Sequence, residues 1–461
     1  MVPGCDAGAT PPASRRGAAL AYVVAVIAVL GILVGLGWRL IRANDRLVAV
    51  DRWDIQAGLL AQAGLDYAMD GIGPPGPSQD LGYATESLHY NLGGPDLAFD
   101  LTVRTWGLYA RARSTGRTAL PGPGRTRERI ALVGQALDLG GLPAIALLDQ
   151  SGNMVLAGNA QVTGPVLLWK GDVRKATDYK VRWKAGRGHV GPTWDSTAEA
   201  WARVRPDFRR AEEWIHRQES MLSSRDWSDD PDYDSGTVSD LMLPDSGLLA
   251  DTLLENVRIL ASKHLRVGSG VRLRNCKLLS ANIVISGEDA RLEEVLAFAG
   301  RNLEIQAGTL IGGQFLARDT LLVSLPIPMQ GTPVFYVQGR VIKKGPQDAG
   351  FVGAMLLEKA QGEGIFLAAV PDCPFLDHEV RLESGPGVKI SGLLYCGARA
   401  LVESEIQGSL IARSLIFEYE GTIYGGHLMN AQLSAYVGKR VISAPLLFPG
   451  FHPLALGMPR P

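Results

Sequence analysis

The chain has 461 residues, 46% of them hydrophobic and 20% charged, with a formal net charge of -1. That length exceeds one ordinary compact domain, the apolar fraction excludes general disorder, and the balanced charge gives no global reason to expect nucleic acid as a partner. Fifty-five glycines against 7% aromatic residues suit short strands and tight turns better than a helical bundle.

Residues 1–17 read as a basic leader ending in Arg15, Arg16 and Gly17. Ala18 to Trp38 (AALAYVVAVIAVLGILVGLGW) carries no charge, and crossing a bilayer takes about 20 apolar residues. Arg15 and Arg16 favour a cytoplasmic N-terminus, although Arg39 and Arg42 beyond the span reduce the asymmetry. A cleaved secretory signal would have a shorter apolar stretch and an A-x-A-like site, which is not found before Trp38. The apolar stripe then continues through Leu47, Val50, Ile55, Leu59, Ala63 and Tyr67. One helix is therefore predicted over 18–72, transmembrane first and amphipathic later, stopped by GIGPPGP from Gly71.

The run RRGAALAYVVAVIAVLGILVGL resembles the start of PilX-type minor pilins and of the K-type minor pseudopilins of type II secretion. WDIQAGLLAQAGLDYAM is similar to the helix of those proteins at Gln56, Gln62, Ala63, Gly64, Leu65 and Tyr67. The segment around Ser114, Thr115 and Gly116 resembles their strand–turn–strand stretch, and Gly158, Asn159, Ala160 and Gly164 match a later one. The resemblance covers roughly residues 15–166 and implies cleavage by a prepilin peptidase between Gly17 and Ala18. It also implies an inner-membrane anchor, with other pilin or pseudopilin subunits as partners. Most pilins carry Glu at the fifth mature position, where this chain has Tyr22. The K-type subunits lack that Glu too, so the departure points to a minor or priming subunit, or to an unprocessed anchor.

Phe99, Leu101 and Val103 alternate with polar residues, and Tyr109–Arg113 and Ile130–Leu137 read as further strands of a small pilin-like β region over 73–140. From 141 onward a repeat emerges. HLRV at His264, NIVI at Asn282, NLEI at Asn302 and TLLV at Thr320 start 18, 20 and 18 residues apart. An apolar–Gly–apolar signature recurs at Val162, Leu310, Val337, Ile390, Ile406 and Ile423. Short alternating strands at such spacing predict stacked coils with glycine at the corners. The fold class is thus mainly β: the N-terminal helix, a small sheet, then a right-handed parallel β-helix (solenoid). The β-helix starts in 141–250 with a charged helical insert, continues through 251–440 and ends in a tail over 441–461. Within the insert a helix pair is expected at Thr197–Val204 and Asp207–Leu222, with Ser196 and Glu199 spaced as a capping box. SLPIPMQGTPVF at 324–335 is expected to loop out of the stack.

Chemistry is sparse. Asp230, Asp232 and Asp234 have the D-x-D-x-D spacing that opens a calcium loop, but Ser235 stands where the loop needs Gly and Leu241 where it needs Glu. A solvated acidic loop is the plainer reading, and calcium is the one cofactor the sequence suggests. Glu288, Asp289, Glu293, Glu294 and Glu304 are available for the polysaccharide chemistry that β-helices often host, yet no matched acid and base stand out. His264 and His427 have no ligand spacing to another histidine, and no other metal site is expected. The basic segment Lys170–Arg187 interleaves Trp and Tyr with cations and reads as a solvated insert or a subunit-docking surface. Cys5 falls in the leader; Cys373 and Cys396 can bridge outside the cytoplasm, and buried thiols, Cys276 included, are the alternative.

The functional expectation is a non-catalytic minor pilin-like or pseudopilin-like subunit at the tip or in the assembly of a type IV pilus or type II secretion-like filament. Its head would be periplasmic or extracellular and bind a partner or surface. The alternatives are a membrane-anchored carbohydrate-active β-helix and a bactofilin-like scaffold.

Overall fold

A computed structural model describes residues 15–71, 86–91, 97–118, 125–151, 153–178, 180, 182–184, 188–195, 206–227, 230, 232, 238–324, 328–343, 349–369, 380–447 and 453–457. Apart from one long N-terminal helix it is mainly strand, and it divides into two compact units. One comprises 1–64, 89–100 and 114–129; the other comprises 65–88, 101–113 and 130–461.

In the first unit, helix α1 (Arg15–Gly71) begins. The whole helix has 57 residues and so extends about 85 Å at 1.5 Å per residue. Its first part is apolar and uncovered, with Tyr22, Ile27, Leu33, Val34 and Leu40 all exposed. Further along, Ala57, Leu60 and Ala61 are buried. There Gly116 lies so close that a Cβ on it would meet Ala57 O at 2.1 Å. The Arg127 guanidinium pairs with Asp54, and Arg129 donates to Gln62 at 2.6 Å. A stretch of helix with small residues on one face lets a strand approach closely, whereas the apolar stretch over 22–36 is left exposed.

Four strands follow: β1 (Glu86–Asn91), β2 (Leu97–Trp106), β3 (Tyr109–Thr118) and β4 (Arg125–Asp138), paired in that order. In the second unit β4 also pairs antiparallel with 441–444 and 453–457, so the segment read as a tail supplies two strands. The coils are therefore an insertion between neighbouring strands of one sheet. At the neck, Leu139 N donates to Arg440 O at 2.8 Å, and Asp138 Oδ1 accepts from Gly140 N and Arg440 N at 3.1 and 3.0 Å. Arg440 also reaches Glu363 at 2.6 Å.

The coils form a parallel solenoid. His264, Asn282, Asn302 and Thr320 are successive partners in one ladder, in the register their sequence alignment predicts. Leu265, Ile283, Leu303, Leu321, Met355, Leu382 and Ala400 form an inward column, all buried. A second column runs Ile259, Leu278, Ala297, Phe315, Phe335, Phe366, Leu394 and Leu410. Its three phenylalanine rings stack at 5.5 and 4.7 Å. Burying each such side chain contributes about 1.5–3 kcal/mol, an amount no single coil collects without neighbours. Gly364, Gly392 and Gly408 also sit directly above one another.

Two expectations change here. Pro328–Gln330 and Val334–Val337 lie within the stack, because Phe335 fills the column between Phe315 and Phe366 and Pro328 begins its strand, where no N–H is missed. The excursions are instead antiparallel hairpins, 340–343 with 349–352 and 416–419 with 422–425, so the glycine signatures at Val337 and Ile423 mark departures from the coil. The expected helix at 197–204 and its capping box lie outside the described residues.

Spatial order departs from chain order. Leu410 pairs with Ile145, Ile145 with Val166 and Val166 with Thr193, so the first coils stack on the last. The stack ends at 239–255 on one side and at 173–195 on the other, and the chain must travel between them. Helix α2 (Arg209–Ser224) makes the crossing on the outer face of one sheet. Its 16 residues span about 24 Å, which matches about five strand spacings of 4.8 Å. Phe208 packs on Tyr395 and Tyr336 at 5.4 and 5.8 Å, and Trp214 meets Phe298 edge-on at 5.6 Å. Trp214→Ala would leave a cavity where a fully buried indole sits, with an expected loss of about 3–5 kcal/mol measurable by denaturant unfolding of the full chain.

Candidate functional site: a buried carboxylate–ammonium cluster

Under α2 the outward ladder positions read Asp240, Arg258, Lys277, Leu296, Gln314, Val334, Ile365 and Leu393. The four apolar ones, Leu296, Val334, Ile365 and Leu393, are all buried. Lys277 has no exposure at all. Its Nζ lies 2.7 Å from Asp230 Oδ1 and 2.6 Å from Asp232 Oδ2, two carboxylates whose side chains are also fully buried. Trp214 and Trp227 wall the ammonium, with ring centres 5.8 and 5.6 Å away.

The two carboxylates have different surroundings. Asp232 Oδ1 accepts from the Gly107 backbone N–H at 3.2 Å, and Trp214 Nε1 donates to both carboxylate oxygens at 3.2 Å. Asp230 Oδ2 has no hydrogen bond; the nearest cation is Arg258, with Nη1 3.5 Å away, and Arg258 grips Asp240 at 2.6 and 2.8 Å. Burial pushes the Asp232 carboxyl above its ordinary range, the nearby Lys277 charge opposes the rise, and Asp230 adds to it.

The cluster also seats the β2–β3 turn. Gln314 accepts from Leu108 N at 2.6 Å and donates to Trp106 O at 2.7 Å, while Asp232 takes the Gly107 N–H between them. Gly107 has φ +61, and a Cβ there would meet Gln314 Oε1 at 2.5 Å. The 106–109 turn, α2 with Asp230 and Asp232, and the coils at 258–314 thus meet at one buried polar point. Withdrawing such charges from water costs several kcal/mol each unless they pair, so the geometry is held to those partners.

The other predicted residues are dispersed. Lys277 Nζ fills the place that a calcium loop would give a divalent cation between Asp230 and Asp232, and Asp234 lies outside the described residues. Among the described residues no group of three or more His, Cys, Asp or Glu is placed to hold a metal. Glu293 pairs with Arg291 at 2.5 Å, Asp289 accepts from Gly270 N at 2.9 Å and Glu304 accepts from Gln306 at 2.7 Å, so these carboxylates serve their own coils. Burial raises the Glu294 carboxyl at a corner with φ 53. His264 is exposed, while His427 contacts Gly425 O at 2.9 Å. Cys396 is buried; Cys373, and with it the pairing, falls outside the described residues. Cys276 is buried, and burial pushes its thiol up. Gly17 and Ala18 lie in the opening turns of α1. Sequence reasoning missed Lys277, Trp214, Gly107 and Gln314; the available signal was a lysine opening the mainly apolar strand KLLSANIVI.

No family model matches this chain, and no curated protein matches it. Among solved structures it has a neighbour in the competence-associated pilin ComZ from Thermus thermophilus, at 10% identity, over 88% of this chain and 96% of that one. The TM-score is 0.20, a superposition too loose to carry an argument. Among the described residues, one helix, at the N-terminal end, is long and apolar enough to cross a membrane.

Proposed function

We propose that the chain is a membrane-anchored minor pilin-like or pseudopilin-like subunit, non-catalytic, whose solenoid binds partner subunits or a surface. The observation that carries this is α1, a single helix whose apolar stretch, Tyr22 to Leu36 included, is exposed, and which strands cover only from about Ala57 onward. A uniformly apolar, exposed helix face has no stable place in water and needs lipid or other helices around it. Its partners would be the inner membrane, a prepilin peptidase, and other pilin or pseudopilin subunits of a type IV pilus or type II secretion-like filament. The head would lie in the periplasm or outside the cell. Nucleic acid is not among the expected partners.

Mass spectrometry of the mature N-terminus tests this. The expected product begins at a methylated Ala18, and Gly17→Val should leave the leader attached. An intact Met1 in the native protein would overturn prepilin processing. Protease added to spheroplasts should digest the solenoid; protection until the membrane is breached would place it in the cytoplasm and overturn the reading.

A further inference from the structure

We infer that Lys277 and Asp232 are built to join covalently, as a self-formed isopeptide bond between the solenoid and the loop that follows α2. This modification site is independent of the pilin-like reading. The groups such a reaction needs are all present. A primary amine and a carboxyl group lie 2.6 Å apart, both fully buried and walled by two tryptophans. A second carboxylate, Asp230, sits 2.7 Å from the same nitrogen and so can take and return its protons. The electrophile is oriented: Oδ2 of Asp232 faces the amine, Oδ1 accepts from the Gly107 N–H, and Trp214 Nε1 donates to both oxygens. Those donors stand where negative charge gathers when the carbonyl carbon becomes tetrahedral. Holding the reactants in contact inside a rigid fold removes most of the entropy barrier to amide formation.

The raised carboxyl of Asp232 supports this assignment, because amine addition needs the protonated acid, not the carboxylate. The balance is as follows. The Lys277 ammonium gives a proton to Asp230, and the freed nitrogen lone pair adds to Asp232 Cγ. Oδ1 carries the displaced electron pair between its two donors. Asp230 returns the proton to the Oδ2 hydroxyl, the Cγ–Oδ2 bond breaks, and water leaves. The remaining surplus proton on nitrogen passes to Asp230. One N–C bond forms, one C–O bond breaks and nothing is oxidised or reduced. Gly107 and Trp214 act here as positioning residues for the reacting carboxyl.

Tryptic mapping of the full-length protein, purified in detergent and denatured, tests the inference. Trypsin cannot cut after an acylated lysine. The expected species is therefore the peptide 226–258 joined to 275–291, lighter than the sum of the two by one water, about 18 Da. Fragmentation should place the link at Asp232. Lys277→Arg keeps a cation but cannot form the amide stably, so it should release peptide 226–258 unlinked. Asp232→Asn should still link, with loss of ammonia in place of water. Asp230→Ala should abolish or slow the link at least tenfold while Asp232 remains intact. Recovery of peptide 226–258 unlinked and of cleavage after Lys277 in the folded native protein would overturn the inference. A link placed at Asp230 would overturn the roles assigned to the two carboxylates.

Discussion

Replacing Gly392 or Gly408 with alanine is expected to lower the unfolding free energy of the solenoid by about 3–5 kcal/mol, far more than a glycine substitution ordinarily costs. Both positions have positive φ, +144 and +141. A Cβ on Gly408 would lie 1.9 Å from the carbonyl oxygen of Gly392, and one on Gly392 would lie 2.0 Å from that of Gly364. The obstructing atom in each case is backbone, not the end of a flexible side chain. Relief therefore means prising apart two rungs that are hydrogen-bonded along their length, from Lys389–Glu405 to Cys396–Ala412. Gly421 provides the control. It too has positive φ, +74, but nothing lies within 4 Å of where its Cβ would be. Gly421→Ala should therefore cost only the backbone strain, about 1 kcal/mol. Denaturant melts of the full chain would show the difference. Equal losses at all three positions would contradict the stacking argument. Because coils depend on their neighbours, hydrogen exchange should accelerate first near Leu410 and Ile145.

Lys277→Met is expected to be nearly as damaging, at about 3–5 kcal/mol at neutral pH, although methionine fills similar volume. The variant leaves Asp230 and Asp232 buried with only Arg258 nearby, 3.5 Å from Asp230. Asp240→Asn removes a carboxylate from the same ladder, but one 40% exposed, and should cost under about 1 kcal/mol. The pH dependence has a definite sign. Asp232 is already raised above 3.8 by burial, and losing the lysine removes the chief effect that opposes the rise. A raised folded-state value means stabilisation that is complete below the unfolded value and is lost as pH climbs through the folded one. The deficit of the variant should thus be largest near neutrality and shrink as pH falls toward about 4. Where Lys277 has been acylated the wild-type Asp232 carboxyl is consumed, and the pH-dependent part of the deficit then comes from the free carboxyl that the variant restores. A deficit that stays constant with pH would show that the loss comes from packing alone.

The solenoid was legible where its signal is local. Period-two alternation at His264, Asn282, Asn302 and Thr320 fixes which residues face inward, and even spacing then fixes the register. The long apolar helix was legible for the same reason. What could not be read were arrangements set by distant partners. Asp230 and Asp232 carry the spacing of a calcium loop, and only the strand beginning at Lys277 reveals that their cation is a side chain. Phe335 looks like part of a proline-rich loop until Phe315 and Phe366 are seen on either side. Val441–Ala444 reads as tail because its hydrogen-bond partner, β4, lies some 300 residues earlier.

The wrapped order of the coils has a consequence for biosynthesis. Ile145 finds its upper neighbour, Leu410, only after about 265 further residues have been made. At translation rates of about 5–20 residues per second, the strand at 145–147 waits roughly 13–50 s with one apolar edge unsatisfied. Long-separated pairing of this kind is slow to nucleate and open to capture by other nascent chains. Holdase chaperones should therefore bind this protein during that interval, and a circular permutant beginning near residue 239 should need them less.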